Sequence, residues 1–332
     1  MMHVAALAIG EARSVIEQTA DTQLARQLEE LSAQTRSGAV HVAEIAADIL
    51  QRRSLSGEAA SPDAFRHELL TTGWGIIRAQ PTMAPLVNLV NHVLWRTEEQ
   101  ETPRALRQAV LQSIDDFKRQ LRRHAHHVAE SALTLINDGA RIVTLSNSTT
   151  VQHALLHAQR AGRRFSVICA ESRPLLEGRQ TAELLASRGI DVQLVVDMAA
   201  IAAVAHAQLV LVGADMLSTR GLINKMGTYP LALAAARAGV PLYTLCGSEK
   251  FLPPGFRALA QRNWPATEVW DGAPGDLKIA NQYSDVTPLS LVSGIVTERG
   301  VLPVAAIEAW LATTRLHYAL AEPQRVGIAG TG

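Results

Sequence analysis

Charge of one sign, cysteine and long apolar runs are what this 332-residue chain lacks. Lysine plus arginine and aspartate plus glutamate both total 31, so the formal net charge is zero. No long-range field then draws the chain to nucleic acid or to an anionic membrane. Two cysteines, Cys169 and Cys246, are too few for a disulfide framework. Both sit in apolar runs, SVICA and PLYTLC, as expected of buried thiols in a cytoplasmic protein. The opening residues reach Glu11 and Arg13 too early for the apolar region of a signal peptide. No run of about 18 apolar residues follows anywhere, so no membrane association is expected.

What is present divides into two patterns, and the length suggests two domains. Up to residue 135 apolar residues recur at helical spacing, with breaks at Ser54–Pro62 and Gln80–Pro81 and a helix start at Thr102–Pro103. From Ala140 short apolar runs (ARIVTL, FSVICA, VQLVV, AQLVLVG, VPLYTLC) alternate with helix-length amphipathic stretches. That alternation implies a parallel sheet covered on both faces. We therefore expect an α/β protein: a helical domain over 1–135, then a Rossmann-like domain over 136–332. Ligands of such sheets bind beyond the carboxyl ends of the strands. Those ends carry SNSTT, ESRP, Asp197, GAD and CGSEK, with NKMGT close behind.

Ser146-Asn147-Ser148-Thr149-Thr150 lies between a strand and a helix, where free backbone N–H groups favour a phosphate and where Ser148 or Thr149 could equally serve as a cap. Arg173 closes the second strand with a guanidinium suited to a phosphate, or to a surface ion pair. Asp215 ends a very apolar strand, where burial would raise a carboxyl pKa toward a proton-carrying value and where a turn aspartate bonding nearby backbone is an equal alternative. Asn224, Lys225, Gly227 and Thr228 form a loop able to hold an anion and a sugar oxygen. His124, His126, His127 and Glu130 have no metal-ligand spacing and read as a solvated helix face. No metal and no cofactor are expected.

Taken in order, S-N-S-T-T, E-S-R-P, V-G-A-D and N-K-M-G-T-Y resemble one family. The resemblance continues through P-A-T-E-V at 265–269, D-V-T-P at 285–288 and T-E-R-G-V-L at 297–302, with echoes at Ser37-Gly38-Ala39 and Pro81–Asn88. The family unites ribose-1,5-bisphosphate isomerase, methylthioribose-1-phosphate isomerase and the alpha, beta and delta subunits of translation initiation factor 2B. It implies a helical domain on a Rossmann-like sugar-phosphate-binding domain, with homodimers or larger assemblies formed through the latter. It also implies either an aldose–ketose isomerase acting on a pentose 1-phosphate or a non-catalytic regulatory relative that binds a sugar phosphate or nucleotide. On the isomerase side the proton-handling pair falls on Ser146 and Asp215, and substrate contacts fall on Asn224 and Lys225; the strand-end chemistry read above adds Asn147, Ser148, Arg173, Gly227 and Thr228 to the expected substrate-binding set. The chain departs from the isomerase pattern at three points: Ser146 replaces a cysteine, Glu177 a glutamine, and Gln80 an arginine.

Overall fold

In this computed structural model, which describes residues 22–56, 59, 61–257 and 263–321, the first half is helical. Helix α1 covers the described residues 22–32, followed by α2 (Ala39–Ser56), α3 (Pro62–Ala79), α4 (Ala84–Thr97) and α5 (Pro103–Leu133). Ser61 and Thr102 start α3 and α5 by accepting the N–H of Ala64 and Ala105, each at 3.2 Å, with proline in the first turn. The apolar stripes of these helices close on one another through Leu50, Trp74, Leu86, Leu106 and Ile114, all buried. Met216, Leu252 and Phe256 from the second half enter the same cluster. Removal of that shared apolar surface from water holds the two halves together.

The second half begins with β1 (Ala140–Leu145), α6 (Thr149–Arg160), β2 (Phe165–Ala170), α7 (Gly178–Ser187), β3 (Asp191–Val195), α8 (Asp197–Ala203) and β4 (Leu209–Val212). Then come β5 (Met216–Ser218), β6 (Gly221–Lys225), α9 (Thr228–Ala238), β7 (Leu242–Leu245), β8 (Ser284–Thr287), β9 (Gly294–Thr297), β10 (Gly300–Leu302) and α10 (Val304–Thr313). Seven strands form one sheet in the order β10-β9-β7-β4-β1-β2-β3, parallel except for β10. Both faces are covered: along β1 and β4, Val143, Leu145, Val210 and Val212 join one apolar cluster, while Ile142, Leu209 and Leu211 join the other. Strand order runs outward in both directions from the β1/β4 pair, so the crevice beyond their carboxyl ends is the expected ligand position.

A second, antiparallel sheet of β5, β6 and β8 corrects the loop expected around Asn224 and Lys225. These two residues end β6 and pair with Asp285 and Ser284 of β8. Strands of three to five residues leave too little period-two pattern to read from sequence.

The histidine cluster also divides differently from expectation. His126 and His127 do face solvent beside Glu130, but His124 is buried, its Nδ1 2.7 Å from Glu249 Oε2. Cys169 and Cys246 are free and buried. Burial pushes the Cys169 thiol up to about 12 and raises Cys246 as well, so neither is a ready nucleophile. Among the described residues no helix is long and apolar enough to cross a membrane, and no cluster could hold a metal ion.

Candidate active site

The chain turns sharply where β1 ends. Ser146 adopts φ +65°, a left-handed conformation that costs a non-glycine residue about 1 kcal/mol or more. It is held there from both sides: its N–H donates to Ser172 Oγ at 2.7 Å and its carbonyl accepts from Thr181 Oγ1 at 2.8 Å. Ser172 and Leu176, in the loop after β2, share the left-handed conformation. Two glycines bring the strand ends together. A Cβ at Gly213 would lie 2.4 Å from Ser148 Oγ, and one at Gly178 only 1.8 Å from the Ala170 carbonyl oxygen. Gly213 thus lets the end of β4 meet the loop after β1. Gly178 lets α7 press on the end of β2, which drives Glu177 inward.

Between these ends lies a cavity closed on one side by residues 34–39 and 80–83 of the helical half. Ser146, Asn147, Ser148, Asp215, Asn224 and Lys225 all line it, together with Glu177 and Lys250. Asp215 keeps a sliver of exposure toward the cavity but is otherwise enclosed by protein. Burial pushes its carboxyl up to about 6; Lys250 and Lys225 pull it down, and Glu177 pushes it up again. Lys225 forms a buried ion pair with Glu177 and stands 4.9 Å from the centroid of the Tyr283 ring. That ring stacks on Trp264 at 4.2 Å. Lys250, 3% exposed, donates to Thr150 Oγ1 at 3.2 Å. Two cations and two carboxyl groups therefore meet at the point where the sheet reverses its order.

Other expected contacts serve as braces. Asn147 donates to the Arg36 carbonyl at 3.1 Å and to Gln180 Oε1 at 2.8 Å, and accepts from Gln152 at 2.7 Å. Its amide ties the loop after β1 to the helical half. Ser148 caps α6, accepting the Val151 N–H at 3.4 Å. Asn224 is fixed through Thr228, to which it donates at 2.9 Å; Thr228 donates in turn to the Lys225 carbonyl at 2.6 Å. Thr228 is fully buried and Gly227, with φ +103°, shapes the start of α9, so neither lines the cavity. The amino end of α9 is already filled by Asp285, which accepts the N–H groups of Gly227 and Tyr229 at 2.8 and 3.1 Å.

Arg173 departs furthest from expectation. Its guanidinium donates to the Val269 carbonyl at 2.8 Å and it is not among the cavity-lining residues. The backbone of the ESRP loop explains this, because the N–H groups of Ser172 and Arg173 both bind the Asp197 carboxylate, at 2.8 and 2.9 Å, and set the side chain outward. Sequence reading missed Lys250, whose only signal is its place in a strand-end segment, and the aromatic pair Trp264–Tyr283. Gln80, one of the three departures, donates to the carbonyls of Leu31, Ser32 and Gln34 at 3.1, 3.2 and 3.3 Å, and so holds the loop that roofs the cavity.

Comparison with known proteins places the chain among relatives. A ribose 1,5-bisphosphate isomerase of Haloferax volcanii is 32% identical over 292 residues, 86% of this chain and 90% of its own length. A putative translation initiation factor eIF-2B subunit 2-like protein of Pyrococcus horikoshii is 33% identical over 232 residues, 68% of this chain and 78% of its own. The crystal structure of the Pyrococcus horikoshii translation initiation factor eIF-2B superposes with a TM-score of 0.73 at 28% identity, covering 85% of this chain and 97% of that one. The family model for the initiation factor 2 subunit family matches residues 35–304, which spans the parallel sheet and every cavity residue named above except residue 34. The chain belongs to the initiation factor 2 subunit family.

Proposed function

We propose that this protein is an aldose–ketose isomerase acting on a pentose 1-phosphate, of the ribose 1,5-bisphosphate or methylthioribose 1-phosphate type. The observation that carries the reading is Asp215, which lines one cavity with Lys225 and Lys250 and whose carboxyl is raised to about 6 by burial. Isomerisation needs a group that can both give and take a proton near neutrality, and such a value suits it. The two lysines and the amino end of α6 supply positive potential for a phosphate on the same cavity wall. The Haloferax relative named as a ribose 1,5-bisphosphate isomerase supports the substrate class. A cytoplasmic location and a homo-oligomer assembled through the parallel-sheet half belong to the same proposal.

The test is direct. Purified protein is incubated with ribose 1,5-bisphosphate and with methylthioribose 1-phosphate, and ketose formation is followed by phosphorus NMR. Turnover of one of them, abolished in Asp215→Asn, is the expected outcome; full turnover by the variant refutes the role of Asp215. Ser146 favours a second reading, a non-catalytic sensor, because an alcohol exchanges protons poorly near pH 7. Saturable binding of either sugar phosphate without turnover would select it.

A further inference from the structure

The cavity holds more proton chemistry than Asp215 alone, and Ser146 is the weakest part of it. Among the lining residues Arg36, Lys225 and Lys250 are cations with no lone pair to offer while charged. The hydroxyl of Tyr283 is committed to Glu268. Glu177 is left. It is 4% exposed, its Oε1 accepts from Lys225 and from Ser146 Oγ at 3.4 Å, and its Oε2 is buried without a donor among the described residues. An acceptor buried in that way is costly unless something else arrives to use it. The surroundings hold it in place nonetheless. Three left-handed residues, Ser146, Ser172 and Leu176, and a glycine that leaves no room for a Cβ fix the start of α7 against the strand ends.

We propose that Glu177 is the carbon base of the isomerisation, working opposite Asp215 as the oxygen acid, and that Ser146 only orients the Glu177 carboxylate. This rests on the isomerase reading above. With a furanose 1-phosphate in the cavity, Asp215 gives its proton to the ring oxygen as the C1–O bond breaks, the bonding pair leaving with that oxygen. Glu177 takes the proton from C2, and the C2–H pair becomes the C1–C2 double bond of an enol phosphate. Glu177 then returns its proton to C1, while the proton of the C2 hydroxyl passes to the Asp215 carboxylate. The product is the open ketose 1-phosphate, both carboxyl groups regain their starting states, and no oxidant or reductant is consumed. Lys225 stays paired with Glu177 throughout and keeps that carboxylate oriented. A pair of carboxyl groups held in different environments is the pattern by which one site divides acid from base.

Two variants test it on whichever pentose 1-phosphate the wild type turns over. Glu177→Gln removes the base, and Glu177→Asp keeps the charge beside Lys225 but withdraws the carboxylate by one methylene. We expect kcat to fall by about 10³-fold and about 10²-fold respectively, with KM within about threefold of wild type, since the base acts in the transition state more than in binding. Glu177→Ala should recover at least about tenfold in kcat with added formate, which a merely structural role would not allow. Wild-type turnover together with a kcat for Glu177→Asp within about threefold of wild type overturns the proposal and leaves the isomerase reading standing. No turnover of either substrate by the wild type overturns both.

Discussion

Asp215 makes a prediction that runs against the usual effect of changing a site residue. Its carboxyl is raised from 3.8 to about 6, chiefly by burial, with Glu177 adding to the rise and Lys250 and Lys225 opposing it. The native state therefore binds a proton that the unfolded chain releases, and stability falls as pH climbs through that interval. Above the native value the loss is complete. At 1.36 kcal/mol per pH unit it amounts to about 3 kcal/mol, an upper figure because the carboxyl keeps some contact with the cavity. An asparagine side chain cannot ionise, so Asp215→Asn escapes the cost. Unfolding midpoints in urea measured at pH 4, 5, 6 and 7.5 should nearly coincide for wild type and variant at pH 4. They should diverge as pH rises, with the variant more stable by about 1–3 kcal/mol at pH 7.5. Carboxylates remote from Asp215 titrate equally in both proteins and cancel in the difference. A variant no more stable than wild type at pH 7.5, or a difference that does not change with pH, refutes the reasoning. The same substitution should abolish turnover, which makes Asp215 a place where stability is given up for chemistry.

Two further predictions concern the elements that hold the site. Lys225→Met leaves the Glu177 charge buried without its partner and should cost about 3–5 kcal/mol. Adding Glu177→Gln should restore at least about 1 kcal/mol of that, and strictly additive losses would show that the pair is not coupled. Gly178→Ala places a Cβ 1.8 Å from the Ala170 carbonyl oxygen and should destabilise by about 3 kcal/mol or more, measured by denaturant unfolding. A change under about 1 kcal/mol would mean that α7 is free to move off the end of β2.

The parallel sheet was legible because buried strands write themselves as short apolar runs. ARIVTL and FSVICA coincide residue for residue with β1 and β2. Elsewhere the agreement loosens: VQLVV starts one residue later than β3 does, and AQLVLVG and VPLYTLC overrun β4 and β7 by one or two residues at each end. The small antiparallel sheet went unread, since its strands are shorter than one clear alternation. Of the candidate site, what a strand end can deliver was visible: Ser146 and Asp215 sit one and three residues beyond their strands and face one cavity. What depends on partners distant in the chain was not. The outward turn of Arg173 is decided by Asp197, the inward turn of Glu177 by the lack of a Cβ at Gly178, and the pairing of Lys225 by Glu177 itself.

Charge placement links the acid state of Asp215 to the arrival of ligand. In the open cavity the nearby lysines hold the Asp215 carboxyl below the value that burial alone would give it. A phosphate dianion bound beside Lys225 and Lys250 offsets those cations, so the restraint weakens and the carboxyl rises further. The proton that the ring oxygen needs is thereby held most firmly when a substrate is present to receive it. Glu177 acts in the same direction, because its negative charge also raises Asp215. The carboxylate that stands where the isomerase pattern has a neutral glutamine thus serves the acid as well as offering a base of its own. A glutamine in place of Glu177 would leave Asp215 more acidic and more fully ionised at neutral pH, with less proton to give.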